Sequence, residues 1–185
     1  MPFSDFTLRI YSWIRKRKFA KNLPVLIEML SPQKEDIILD VGAGTGAIAN
    51  IIASKCDEVF ALDPDPKRVE YMKKKYPQVK SFDGSAESIQ FPESYFTKIY
   101  VIGAFHHFEN QDSALYEIHR VLKPKGVLVI NESDPGSTSS KTENKAGKVH
   151  FVRGGELKEM LEQNGFSLKE SRIANNGYFT SSTKN

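Results

Sequence analysis

The amino-acid sequence predicts a single α/β domain built on a parallel sheet. Short, continuous runs of apolar and β-branched residues alternate along the chain with stretches of helical periodicity. Continuous apolar runs are typical of strands buried on both faces of a parallel sheet, because half-exposed strands alternate polar and apolar residues. With 185 residues, of which 39% are hydrophobic, the chain is long enough to bury one core and too short for two. We therefore expect one domain over residues 1–185.

Five apolar runs predict strands, since each is too short to form a helix. They lie at residues 37–41, 59–62, 79–82, 98–102 and 127–130, and the third is the weakest. Four further stretches place apolar residues three or four positions apart, as a helix that packs on a sheet requires. These stretches cover residues 45–55, 66–76, 111–122 and 154–164. Strands that alternate with helices in this way indicate an α/β domain with a parallel sheet.

Residues 1–34 are expected to form a helical cap with a basic arm before the first strand. Two helices are expected before the first strand, and an apolar stripe marks one of them, at Leu23, Leu26, Ile27 and Leu30. The arm carries six basic residues against the single acidic Asp5, at Arg9, Arg15, Lys16, Arg17, Lys18 and Lys21. It could attract an anionic small molecule, nucleic acid or anionic lipid, but so short a run favours a solvated helix face. Nucleic acid is therefore not the favoured partner.

Two later segments break the alternation of strands and helices. Residues 134–148 are almost wholly polar, Gly or Pro, which predicts a mobile loop long enough to act as a lid or substrate loop. The segment 166–182 contains two strand-like pieces around Asn175, Asn176 and Gly177. Because Asn-Gly is a strong hairpin signal, we expect the sheet to end in an antiparallel pair.

Composition also limits the class of protein. The single cysteine, Cys56, excludes an intrachain disulfide, and the lack of a cysteine cluster argues against a zinc site, so we expect no metal. No apolar run approaches the ~20 residues of a membrane span. The first residues lack the pattern of a signal peptide. These features predict a cytoplasmic protein, and they do not define its oligomeric state.

The main chemical signal is a glycine-rich turn between a strand and a helix. Residues 37–46 read Ile-Ile-Leu-Asp-Val-Gly-Ala-Gly-Thr-Gly, with glycines at positions 42, 44 and 46. Glycines permit a sharp turn and the close approach of a ligand to the backbone, and the first N–H groups of the helix then face that ligand. The turn is typical of a nucleotide site, although the third glycine comes one residue earlier than in the dinucleotide pattern.

Asp63 ends the next predicted strand, 21 residues after Gly42. A carboxylate at this position can accept hydrogen bonds from both hydroxyls of a ribose. The alternative is that Asp63 only opens the turn made by Pro64, Asp65 and Pro66. Because it occurs together with the glycine turn, we favour the ribose interpretation.

From about residue 37 to 165 the chain resembles the class I S-adenosylmethionine-dependent methyltransferases, in particular the small-molecule branch. The resemblance depends on five segments in the family's order. They are Leu39-Asp40-Val41-Gly42-Ala43-Gly44-Thr45-Gly46, then Asp63, then Gly84-Ser85-Ala86-Glu87 followed by Phe91-Pro92, then Ala104-Phe105-His106-His107-Phe108, and last Arg120-Val121-Leu122-Lys123-Pro124-Lys125-Gly126. The last segment is the most specific of the five.

The resemblance implies a Rossmann-like, doubly wound, seven-stranded sheet that is mostly parallel, with an antiparallel last strand and helices on both faces. It implies S-adenosylmethionine as cofactor and a small-molecule acceptor, methylated by in-line displacement. The implied cofactor-binding residues are Asp40, Gly42, Ala43, Gly44, Gly46, Asp63, Pro64, Ser85, Ala86 and Gly103. In this scheme the glycine turn holds the methionine portion, Asp63 the ribose, and Ser85 with Ala86 the adenine.

Three positions depart from the family pattern. Ser85 replaces an aspartate that binds the adenine amino group, which predicts weaker cofactor binding unless Asp83 substitutes. Thr97 replaces an aspartate at the start of the fourth strand, and Lys125 replaces the first glycine of a Gly-Gly pair. We expect the last two changes to be structural.

Candidate catalytic residues are few, because a base is needed only where the acceptor must lose a proton. His106 and His107 are the candidates, since histidine titrates near neutral pH, and at most one of these neighbours should face the site. The alternative is a structural pair that closes the loop. His150 and Tyr11 could also reach the site, although packing is the simpler explanation for both.

Two other functions compete with methyl transfer. A nicotinamide-dependent oxidoreductase would also use a glycine turn and Asp63, and Tyr71 with Lys75 imitates a reductase pair. The glycine spacing and the segment Arg120–Gly126 oppose it. A non-catalytic protein that keeps the fold as a scaffold is the second alternative. The intact glycine turn and Asp63 argue against it, since a decayed site need not keep both.

Overall fold

The computed structural model describes residues 19–133, 149–175 and 177–185, together with Thr7, Ile10 and Arg17. Seven strands of this part of the chain form one sheet. They are β1 Ile37–Val41, β2 Glu58–Asp63, β3 Lys80–Asp83, β4 Phe96–Ile102, β5 Leu122–Ser133, β6 Phe166–Ala174 and β7 Gly177–Lys184. Their order in the sheet is β3-β2-β1-β4-β5-β7-β6.

The strand directions confirm the predicted topology. Neighbouring strands from β3 to β5 are parallel, whereas β7 is antiparallel to both β5 and β6. The predicted hairpin is therefore correct, with Asn175 at the end of β6 in the left-handed region at φ +51°. The order of the strands reverses between β1 and β4. In open α/β sheets such a reversal leaves a crevice at the carboxyl ends of the strands, where ligands bind.

Helices cover both faces of the sheet, as predicted. The helices are α1 Leu23–Leu30, α2 Ala47–Ile52, α3 Pro66–Lys75, α4 Gln111–Val121 and α5 Gly154–Gln163, with a short 3₁₀ helix at Phe105–His107. One core contains Leu115 of α4 and Leu157 of α5. The opposite core contains Leu26 of α1, Ile52 of α2 and Met72 of α3. No helix in the described residues is long and apolar enough to cross a bilayer.

Several predicted boundaries shift. The helix expected at 45–55 is shorter, because Gly46 at its N-cap is left-handed at φ +73° and the helix begins only at Ala47. The strand expected at 127–130 is longer, because β5 begins directly at the end of α4. The predicted mobile loop at 134–148, Tyr11 and most of the basic arm lie outside the described residues.

Two departures from the family pattern have structural explanations. The Thr97 hydroxyl donates to Asp36 Oδ1 at 2.8 Å, and the Lys98 ammonium lies 2.7 Å from Asp36 Oδ2. Burial opposes ionisation of Asp36, but hydrogen bonds from Lys98, Gln33 N–H and Thr97 outweigh it and lower the pKa of this carboxyl. Lys125 takes a left-handed φ of +63°, which explains why glycine is common there.

Candidate functional site

The glycine turn places backbone where side chains would not fit. Gly42 has φ +75°, and its N–H donates to Leu62 O at 2.9 Å. A Cβ on Gly42 would lie 2.5 Å from Ala104 Cβ, and a Cβ on Gly46 would lie 2.7 Å from Met72 Sδ. Both glycines are therefore required by conformation and by space.

Asp63 connects the glycine turn to the end of β2. It is buried, and its Oδ2 accepts the Gly44 N–H at 2.7 Å while Oδ1 accepts the Asp65 N–H at 3.0 Å. The guanidinium of Arg68 approaches Oδ1 at 3.6 Å. Asp63 therefore ties the glycine turn to the end of β2 and to the start of α3.

A cavity of about 380 Å³ opens at the carboxyl ends of β1 to β4. Its lining includes five of the predicted cofactor-binding residues, namely Gly42, Asp63, Pro64, Ser85 and Ala86. It also includes residues that the sequence did not single out as ligands, among them Arg68, Glu87, Phe108 and Glu109. The cavity lies beside the reversal of strand order, which is where an α/β sheet is expected to bind a ligand.

The segment after β3 brings a carboxylate to this cavity. Ser85 Oγ is hydrogen-bonded to the Glu87 carboxylate, and the Glu87 N–H donates to Ser85 Oγ at 3.1 Å. Glu87 Oε1 also accepts the Asn110 N–H at 3.3 Å. Asp83, the residue expected to substitute for the family's aspartate, is exposed and does not line the cavity. Glu87, two residues after Ser85, is the carboxylate of this segment that lines the cavity.

Arg120, which belongs to the most specific motif segment, anchors the chain that follows Glu87. Its guanidinium donates to Phe91 O and Ile89 O, each at 2.8 Å, and to the carboxylate of Glu117. Glu117 in turn accepts the Ile89 N–H at 2.9 Å. The hydrogen bond from Arg120 lowers the pKa of Glu117, so the pair stays charged. Arg120 is therefore a structural anchor for the cavity wall.

A second, much smaller cavity of about 10 Å³ lies beside the glycine turn. It is lined by Phe19, Asp40, Ala43, Thr45, Ala47, Ile48 and Ile102. Asp40 Oδ2 accepts a hydrogen bond from the Tyr100 hydroxyl at 3.0 Å. Within the part of the chain that the structure describes, Thr45 Oγ1 is buried and has no hydrogen-bond partner. Two residues predicted to bind the cofactor, Asp40 and Ala43, thus line this cavity. The sequence analysis assigned no role to Thr45, which also lines it, or to Tyr100, which is hydrogen-bonded to Asp40.

Gly103 lies against Phe19 in residues 19–22, the N-terminal turn that precedes α1. It has φ +54°, and a Cβ there would lie 2.6 Å from Cζ of Phe19. The N-terminal turn is held by asparagines, since Asn22 Nδ2 donates to Asn131 Oδ1 at 3.2 Å and Asn175 Nδ2 donates to Asn22 Oδ1 at 2.8 Å. The ring of Phe19 therefore covers the backbone at the end of β4.

The two candidate histidines differ in exposure, although their ring centroids lie only 4.1 Å apart. His107 is exposed and lines the larger cavity. His106 is buried, with its ring Nδ1 2.7 Å from Glu132 Oε1, and its backbone N–H donates to Glu132 Oε2 at 2.9 Å. Its ring also stacks on Phe151 at a centroid distance of 4.2 Å. Glu132, which the sequence analysis missed, fixes His106 in the fold.

The other candidates lie away from the larger cavity. The backbone of His150 packs beside His106, because its N–H donates to His106 O at 2.9 Å. Tyr71 and Lys75, whose spacing resembles that of a reductase catalytic pair, lie on α3 and do not line the larger cavity.

Comparisons with known proteins agree with this geometry. Residues 39–130 match the profile of a family described as a methyltransferase domain. A demethylmenaquinone methyltransferase of Thermotoga maritima is 32% identical over 148 residues, which cover 79% of this chain and 62% of that protein. The chain thus spans less than two thirds of this relative's length.

Solved structures share the fold at low identity. A SAM-dependent methyltransferase from Aquifex aeolicus superposes with a TM-score of 0.81 at 16% identity, covering 98% of this chain and 99% of the other. A putative methyltransferase of Haloferax volcanii, solved in complex with the Trm112 methyltransferase activator, gives a TM-score of 0.85 at 15% identity, covering 97% and 94%. These matches extend the likeness from the central segment to the whole described sheet.

Proposed function

We propose that this chain, which belongs to the class I S-adenosylmethionine-dependent methyltransferases, transfers a methyl group to a small-molecule acceptor. One observation carries the proposal. Four of the five motif segments converge from the carboxyl ends of four strands on a cavity of about 380 Å³, and the first of them also lines a small cavity beside Asp40. This arrangement supports a ligand with an adenosine part in the larger cavity and a charged amino-acid part at the smaller one.

Each part of the cofactor has candidate ligands. We assign the ribose hydroxyls to Asp63 and the adenine to the segment Ser85–Glu87, where the Glu87 carboxylate compensates for the family's missing aspartate. The amino-acid end is assigned to Asp40 and the backbone of the glycine turn. These assignments are supported by the fact that the side chains line the cavities.

The chemistry requires little from the protein besides position. When bound, S-adenosylmethionine supplies a methyl carbon that its sulfonium has already activated. The chain must align the acceptor opposite the sulfur and exclude water. Where the acceptor must lose a proton, His107 is the candidate base, because its ring lines the larger cavity. The buried His106 is better explained as a structural partner of Glu132.

The acceptor class is the finer part of the proposal. The Thermotoga relative is named for a quinone substrate, which supports a small molecule. The six basic residues of the arm favour an anionic acceptor over a cationic one.

A calorimetric titration tests the proposal. Wild type is titrated with S-adenosylhomocysteine and, in parallel, with NADH; we expect micromolar binding of the first and no binding of the second. Asp63→Ala should weaken S-adenosylhomocysteine by about thirtyfold or more, since it removes a charged acceptor. The matched control is Asp83→Ala, which removes the register neighbour of Asp63 outside the cavity and should leave the affinity unchanged.

Two results would contradict the proposal. Binding of NADH would favour the oxidoreductase alternative. Binding of neither ligand would favour the scaffold alternative, and a search for protein partners would then replace an acceptor screen.

A further inference from the structure

Tyr100 brings a hydroxyl group to a position where the neighbouring residues of the same strand are aliphatic. In β4 the residues around it are Ile99, Val101 and Ile102. Tyr100 is fully buried, and it belongs to the apolar core on the α1–α3 face of the sheet. A buried hydroxyl without a hydrogen bond is costly. Core packing alone would therefore favour phenylalanine, and a tyrosine at this position needs a hydrogen-bond partner for its hydroxyl.

The partner of this hydroxyl is Asp40. The two residues lie opposite each other in the register of the parallel strands β1 and β4, so their side chains point to the same face. The hydroxyl donates to Asp40 Oδ2 at 3.0 Å. Burial and the charge of Asp40 raise the pKa of Tyr100 well above its usual range. The hydroxyl consequently remains a donor at any pH at which the protein would be assayed.

We propose that Tyr100 is a positioning residue, which fixes the Asp40 carboxylate so that it receives the ammonium group of the cofactor's amino-acid end. The inference rests on the proposed function. One oxygen is held by Tyr100, so the carboxylate cannot rotate freely about its Cβ–Cγ bond. Asp40 lines the small cavity beside the glycine turn, and among the described residues the other polar side chain there is Thr45. A ligand charge in so small a space depends strongly on the orientation of its partner.

The test compares two ligands that differ only at the amino-acid end. S-adenosylhomocysteine carries that end, whereas 5′-deoxy-5′-methylthioadenosine carries the adenosine and the sulfur without it. Tyr100→Phe should weaken S-adenosylhomocysteine about tenfold, as expected for the loss of one hydrogen bond to a charged group. The affinity for methylthioadenosine should change by less than about twofold, because its contacts lie at the larger cavity.

A second variant and a control separate positioning from packing. Asp40→Asn should cause the same selective loss, and Tyr100→Phe should add nothing further in the Asp40→Asn background. Tyr178→Phe is the matched control, because it also removes the hydroxyl of a buried tyrosine, one that donates to Val152 O at 2.6 Å in the opposite core. It should leave both affinities unchanged. Thermal melting of every variant confirms that each is folded.

Three results would overturn the inference. They are equal losses for both ligands, no loss for either, and additive effects of the two substitutions. Failure of the proposed function gives a different result, since wild type itself would then bind neither adenosine ligand.

Discussion

Two aspartates at opposite ends of β1 have different partners, and we assign a stabilising role to one and a ligand to the other. Asp36 precedes β1 and is surrounded by Lys98, Thr97 and the Gln33 N–H. Asp40 lies in β1 near its carboxyl end, where an uncharged hydroxyl holds it beside a cavity. At the amino end of the sheet the Lys98 ammonium pairs with the Asp36 carboxylate and neutralises its charge. At the carboxyl end the Tyr100 hydroxyl donates to the carboxylate that we assign to the ammonium group of the cofactor.

The largest effect on stability is expected at the amino end. Lys98→Met should lower the free energy of unfolding by about 2–3 kcal/mol, because Asp36 would lose its cation in a site where both side chains are mostly buried. The affinity for S-adenosylhomocysteine should not change. Chemical denaturation and calorimetry measure the two quantities. A loss of affinity comparable to the loss of stability would show that the ion pair of Asp36 and Lys98 also supports the ligand site.

The pH dependence of this pair follows from the lowered pKa of Asp36. A depressed pKa in the folded state contributes stability above the unfolded value of about 4, and this contribution is lost as the pH falls through the folded value. Lys98→Met should therefore flatten the acid limb of the stability curve. An acid limb of unchanged slope in this variant would show that other carboxylates control it.

Two buried threonines differ in whether they line the small cavity. Within the described residues, Thr45 Oγ1 at the small cavity and Thr180 Oγ1 in β7 both lack a hydrogen-bond partner. Thr180→Val and Thr45→Val should each stabilise the free protein by about 1 kcal/mol, since each removes an unsatisfied hydroxyl. Only Thr45→Val should weaken S-adenosylhomocysteine, by roughly fivefold to tenfold. Equal affinities in the two variants would remove Thr45 from the site.

The smallest effect is expected at Lys125, far from any ligand role. Lys125→Gly should stabilise the fold by about 1 kcal/mol, because glycine adopts a left-handed φ without the cost of a Cβ. Lys123→Gly, in the same strand but without a positive φ, should destabilise it instead. Thermal melts of both variants measure the difference. Destabilisation by Lys125→Gly would mean that its side chain contributes packing that outweighs the backbone strain.

The fold was predictable because its signals are local. Continuous apolar runs, helical stripes and the Asn-Gly turn each lie within a few residues, and together they gave the parallel sheet with an antiparallel pair. The glycine turn and Asp63 were predictable for the same reason, since their spacing along the chain is itself the signal.

The missed residues depend on contacts between distant parts of the chain. Tyr100 meets Asp40 only through the register of β1 and β4, and alone it resembles any core aromatic residue. Glu132 meets His106 across two neighbouring strand ends. Asp83 was named as a substitute because it lies two residues from Ser85, but Glu87 lines the cavity and Asp83 does not. Such pairings follow from the assembled sheet and leave no pattern in the sequence.

Hydrogen exchange with and without saturating S-adenosylhomocysteine tests whether the ligand binds at the carboxyl ends of the strands, because it measures both ends of the sheet in one experiment. We predict that the ligand slows exchange of backbone N–H groups around residues 41–46, 63–65, 84–87 and 103–108. Exchange around residues 31–37 and 96–98, at the amino end, should not change. Protection at the amino end, or a uniform change across the sheet, would contradict the assignment of the site.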